Sequence, residues 1–217
     1  MEQTITILIY IHAFFGGLGL ITGIASILVK KGSLPHKNMG KLFSVGMITS
    51  SVISIPITFM PNHENLFLLL IAVFTIYLVL TGRRALIFKT TFKVNTYDKV
   101  LSGSMFLFAI IMLFLGIYNL INTTAFGVLY LFFGGFGLLL VYGDFKFYKQ
   151  ITHQGNAWLI VHVKKMIGAL IASITAFIVA GVGVSTLTTW MLPTIFGTIY
   201  IIYWKRKVTK NQVTKNQ

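Results

Sequence analysis

Seven long apolar runs divide this chain, and the polar links between them alternate in character. The runs cover about 4–29, 42–60, 66–82, 100–121, 125–142, 158–184 and 187–204. A bilayer core of about 30 Å takes around 20 apolar residues in a helix, so the pattern predicts seven transmembrane spans. The third, fifth and seventh are short, and Arg83 and Arg84 extend the third by reaching toward headgroups. Backbone amides in hydrocarbon must be paired within their own segment, which makes helices the expected spans. The predicted fold is therefore all-α: a polytopic transmembrane helix bundle forming one domain over 1–207, with kinks expected at Pro56 and Pro193. The remainder, 208–217, repeats Val-Thr-Lys-Asn-Gln and reads as a basic, disordered cytoplasmic tail.

The links set the orientation. Lys30, Lys31, Lys37 and Lys41 lie between the first two runs. Arg83, Arg84, Lys89, Lys93 and Lys99 follow the third, Lys146, Lys149, Lys164 and Lys165 surround the fifth-to-sixth junction, and Lys205, Arg206, Lys207, Lys210 and Lys215 close the chain. The alternate links, 61–65, 122–124 and 185–186, hold no Lys or Arg. With seven spans all 18 basic residues fall on one side. Cytoplasmic loops carry the Lys/Arg excess, so the chain is expected in a cell membrane with its N-terminus outside and its C-terminus in the cytoplasm.

Composition agrees. Hydrophobic residues make up 56% and charged residues 10%, with a mean hydropathy of +0.84; a soluble domain carries roughly 25% charged residues. The net charge of +14 raises the question of nucleic acid. Clusters flanking apolar runs answer it differently, pointing to no nucleic acid and to anionic lipid headgroups, at about 1 kcal/mol per cation. The absence of cysteine excludes disulfides and thiolate sites. The N-terminus lacks a basic n-region, and Lys30-Lys31 stand where a signal peptide would have its small-residue cleavage site.

Two helices carry a legible face. In the first, His12, Gly16, Gly19, Gly23 and Ser26 recur at helical spacing, with Gly19 and Gly23 a Gly-x-x-x-Gly pair. In the sixth, Gly168, Ala172, Ala176 and Ala180 repeat every fourth residue. Both are expected packing faces. His12 lies within a span and is read either as a ligand or proton-relay group or as a structural hydrogen-bonding group.

Polar groups also gather at one depth on the basic side: His36, Arg84, Asp98, Asp144 and His162. Asp98 and Asp144 either pair with nearby cations, or Asp144 joins His36 and His162 in a site. Imidazole and carboxylate are competent zinc ligands, and imidazole pairs hold haem. A divalent metal or haem is thus the cofactor this grouping would take, with His12 and His63 as a second pair on the outer side. No His-x-x-x-His or Glu-x-x-His spacing adds to it.

The segments Lys31-Gly32-x-x-x-His36-x-x-x-Gly40 with Met47, Thr81-Gly82-x-Arg84, and His162-x-x-x-Met166-x-Gly168 followed by Thr175-Ala176-Phe177 resemble a bacterial multipass family, domain of unknown function 2306. His12 with its trailing glycines and Asp144 are similar to that family's polar positions. The chain departs from it at Lys37, where Arg follows the loop histidine, and at Arg83, where an aromatic residue stands. The resemblance implies a multipass membrane protein and supplies no activity. Three function classes are carried forward: a haem or metal protein, a small-solute transporter, and an assembly or scaffold factor acting through helix packing. No nucleophile motif, phosphate-binding glycine loop or nucleotide fold is present.

Overall fold

The computed structural model of the chain describes residues 2–91, 93–122, 127–150 and 155–213. The start of the fifth run (125–126), part of the link 122–124, His153 and the end of the tail (214–217) lie outside the described residues. The described chain is all-helical: α1 (Glu2–Leu28), α2 (Leu34–Ile57), α3 (Leu66–Arg84), α4 (Thr96–Asn122), α5 (Gly127–Gln150), α6 (Ala157–Ala176) and α7 (Leu187–Val213). A 3-10 turn, Ile87–Lys89, follows α3, and a wide π turn, Phe177–Gly181, continues α6.

Local chemistry sets the helix ends. Ser33 caps α2, its hydroxyl accepting from the His36 N–H at 3.4 Å. Pro35 occupies the first turn, where no N–H is required of it. Asn65 caps α3 through the Leu68 N–H at 3.0 Å. At the start of α4 the Asn95 and Asp98 side chains accept from each other's backbone N–H at 3.1 and 2.9 Å, a reciprocal capping box.

Six helical segments are long and apolar enough to cross a membrane: α1, α2, α3 with its 3-10 turn, α4, α5, and α6 with its π turn. This is a multi-pass membrane architecture. α7 is not among the six; Thr188, Thr189, Pro193, Thr194 and Thr198 interrupt its apolar residues. α7 also departs from the expected end at 204 and from the disordered tail at 208, because the helix continues to Val213. Val208 is 7% exposed, and the Thr209 hydroxyl donates to the Lys205 carbonyl at 3.0 Å. The burial of Val208 gives the continuation a packed side, which a free tail lacks.

α3 and α6 form the centre. α3 packs against α2, α4 and α6, and α6 also meets α1 and α7, while α1–α2 and α4–α5 make close outer pairs. Leu78, Val79, Met105 and Ala169 are almost wholly buried in the shared core. Phe14, Ile21, Phe106, Phe114, Leu139 and Ile199 stay exposed on the outer faces. Exposed apolar surface on this scale is what monomeric soluble proteins avoid and bilayers solvate.

The two small-residue faces meet different neighbours. A Cβ on Gly19 would lie 2.8 Å from the Met47 sulfur, and one on Gly23 2.8 Å from both Phe43 and Leu170. The Gly16 face meets Ser50. The α1 face therefore packs mainly on α2, and at Gly23 it also meets Leu170 of α6. Gly168 faces Leu78 of α3; Ala172 is buried, Ala176 half-buried and Ala180 exposed.

Candidate functional site

Two polar systems occupy the same end of the bundle. One is buried and neutral overall. Asp144 on α5 is 3% exposed and holds Lys165 of α6, also 3% exposed, at 2.8 Å through Oδ1. Its Oδ2 accepts from the Tyr77 hydroxyl at 2.6 Å and the Ser102 hydroxyl at 2.8 Å. Lys165 also donates to the Tyr77 oxygen, and Ser102 lies 3.0 Å from the Tyr148 hydroxyl. Tyr148 donates to the Asp98 carbonyl at 3.4 Å. Asp98, 0% exposed, is held by Arg84 through Nε at 2.5 Å and Nη2 at 3.0 Å. Side chains from α3, α4, α5 and α6 thus form one network, and among the described residues no buried side-chain nitrogen or oxygen lacks a partner.

The second system is a chamber of about 610 Å³ where the ends of α1, α2, α3, α6 and α7 converge. Lys31, Lys37, Lys41, Arg83 and Lys89 line it, with no carboxylate among its walls. Both carboxylates of the basic end are consumed by the Arg84–Asp98 and Lys165–Asp144 pairs, so these five cations have no carboxylate partner among the described residues. Aromatic rings partly cover the charge: Lys31 sits 5.7 Å from the Trp204 ring centre and Lys89 5.7 Å from that of Trp158. Partial burial lowers the Lys31 ammonium pKa from its ordinary value. Phe43, Met166, Ile167 and Leu170 make the floor apolar.

His36 and His162 both line this chamber. His36 Nδ1 lies 2.9 Å from the Ser26 carbonyl oxygen, and His162 Nδ1 lies 2.9 Å from that of Gly82. A carbonyl only accepts, so each Nδ1 carries a proton. The Nε2 atoms make no hydrogen bond among the described residues. Each is therefore free to offer a lone pair or, when protonated, an N–H to a ligand.

Asp144 does not join the histidines. Lys165, Tyr77 and Ser102 take its oxygens, and among the described residues no group of three His, Asp or Glu could hold a metal ion. A buried carboxylate takes the nearest cation, and Lys165 is that cation although the sequence reads as if it belonged to the wet rim. His12 on α1 is placed elsewhere: its Nδ1 lies 2.9 Å from the Ser50 carbonyl, and the Ser50 hydroxyl donates back to the His12 carbonyl at 3.0 Å. His63 is exposed in the α2–α3 link and makes no side-chain bond to His12.

The network was readable in principle from polar residues at helical spacing: Tyr77 and Arg84 on α3, Asp98 and Ser102 on α4, Asp144 and Tyr148 on α5. Ionisable residues within apolar helices face the bundle interior and pair with one another.

Comparison with protein-family models, with curated proteins and with solved structures finds no match.

Proposed function

We propose that this chain is a seven-span protein of a bacterial cytoplasmic membrane, N-terminus outside, that binds an anionic amphiphile in its basic chamber. The observation that carries the reading is the five-cation chamber with an apolar floor and no carboxylate in its walls. Basic pockets between helices on the cytoplasmic side take anionic headgroups. The seventh crossing is supported by α7 lining the chamber with Trp204 and Val208 while Thr189 and Pro193, a few turns away, meet the far half of α6. The resemblance to domain of unknown function 2306 belongs to this proposal, its loop histidine being His36 of the chamber.

Binding of dodecyl phosphate to the protein in phosphatidylcholine nanodiscs tests it. Lys37→Glu combined with Lys41→Glu is expected to weaken binding at least tenfold, and 1 M salt to weaken it similarly, since exposed charges are screened within about 3 Å there. Equal affinity in the double variant and in high salt would contradict the proposal.

A second reading keeps haem. It is favoured by the Nδ1 bonds of His36 and His162, which hold both rings and leave Nε2 open, the arrangement that orients metal-binding imidazoles. His36 and His162 would then hold the iron, and the chamber cations would meet the propionates. Iron would supply a redox centre. A Soret band in the purified protein, lost in His36→Ala and in His162→Ala, is the expected sign; a colourless protein after growth with added haem would count against it. Transport of a small solute and assembly by helix packing are the remaining alternatives, and neither uses the chamber's charge.

A further inference from the structure

A groove of about 480 Å³ runs between α6 and α7, walled by Ile171, Ile174, Ile178, Leu192, Pro193 and Phe196. It shares Ile27, Ile167, Leu170 and Tyr200 with the chamber, so the two cavities adjoin along a common, mostly apolar boundary. Leu192 and Phe196 are 47% and 66% exposed, which opens the groove sideways to the surroundings of the bundle. Ile167 and Ile178 are 11 residues apart along α6 and the π turn that continues it. At 1.5 Å per residue that is about 16 Å, close to one leaflet of a hydrocarbon core about 30 Å thick. The far end coincides with the π turn Phe177–Gly181. Such turns recur at functional sites.

Resting on the chamber reading above, we infer that chamber and groove are one site for a single-chain lipid with a phosphate head, the head among the cations and the chain between α6 and α7. Charge selects the head. Five cations without a carboxylate suit a phosphate monoester, at about −1.5 to −2 near pH 7, better than a diester with one charge. Shape selects the chain, because the groove has Thr189 and Tyr200 as its polar walls and the length of one leaflet. The open flank at Leu192 and Phe196 lets the lipid enter from the membrane without leaving it.

The test uses the full chain in phosphatidylcholine nanodiscs and dodecyl phosphate carrying a diazirine near its chain end, with the photolabelled peptides mapped. Label is expected to concentrate on Ile174, Ile178 and Phe196. It should fall at least tenfold in Ile178→Trp, which fills the groove, and in Lys37→Glu with Lys41→Glu, which sits at exposed positions and does not depend on how well a packed variant folds. Leu139→Trp, on an outer face, should leave it unchanged. Unlabelled dodecyl phosphate should compete, while dodecanol and inorganic phosphate at the same concentration should not. Label spread over outer-face residues such as Phe106 and Phe114, or dodecanol competing equally, overturns the inference. If inorganic phosphate competes as well as dodecyl phosphate, the chain slot falls and the anion-binding chamber stands. Loss of all binding at the chamber removes both.

Discussion

Replacing Lys165 by methionine should lower the stability of the bundle by about 3–5 kcal/mol, the usual cost of removing one partner of a buried ion pair. Asp144 would keep Tyr77 and Ser102 on Oδ2 but lose the cation on Oδ1, at a site 3% exposed. Asp144→Asn should cost a similar amount by stranding the ammonium. Combining the two substitutions should cost much less than their sum, because neither charge is then left alone. Reversible unfolding in mixed micelles measures all three. Additive losses would mean that the pair is not coupled. None of Lys165, Asp144 and Tyr77 lines the chamber or the groove, so this network is read as a lock joining four helices.

The second large effect is expected at glycines where backbone meets backbone. A Cβ on Gly46 would lie 2.8 Å from the Phe15 carbonyl and 2.9 Å from the Gly19 nitrogen, which seals α2 against α1. Gly116 plays the same part in α4, where an added Cβ would lie 2.9 Å from the Leu131 nitrogen of α5. Overpacking costs about 1–3 kcal/mol when side chains can give; here helices must separate, so Gly46→Val and Gly116→Val should each lose about 3 kcal/mol or more. Gly17→Ala and Gly103→Ala, with nothing within 4 Å, should lose none. Thermal unfolding in detergent distinguishes the pairs, and equal losses at all four positions would refute the close-approach argument.

The length of the apolar runs, not their periodicity, made the helices legible, because lipid-facing and buried faces alike are apolar here. Boundaries were less legible. α2 begins at Leu34, well before the apolar run at 42, because Ser33 and Pro35 start a helix whose first turns are polar. α5 runs on to Gln150 through Tyr142, Asp144 and Tyr148, since Asp144 and Tyr148 face partners inside the bundle. In α7 the opposite ambiguity holds, as threonines dilute the apolar run although the helix reaches Val213.

The basic end was the part of the site most readable from sequence, because spacing alone put His36, His162 and the lysines at one depth. Which of them touch was not readable. Lys165 and Lys164 are neighbours in sequence, yet a helix turns them about 100° apart, and only Lys165 faces Asp144. That rotation, fixed by long-range packing, separates Asp144 from the histidines. It also leaves the chamber's cations without a carboxylate.

The chain contains no cysteine, so single cysteines can be introduced as reporters without background. A membrane-impermeant maleimide applied to intact cells should label His63→Cys and Ser185→Cys, both exposed in links free of Lys and Arg. Lys37→Cys and Lys93→Cys, exposed on the basic side, should react only after lysis. Labelling of Lys37→Cys from outside, or of Lys37→Cys and Lys93→Cys from opposite sides, would contradict the one-sided basic face from which the chamber is built.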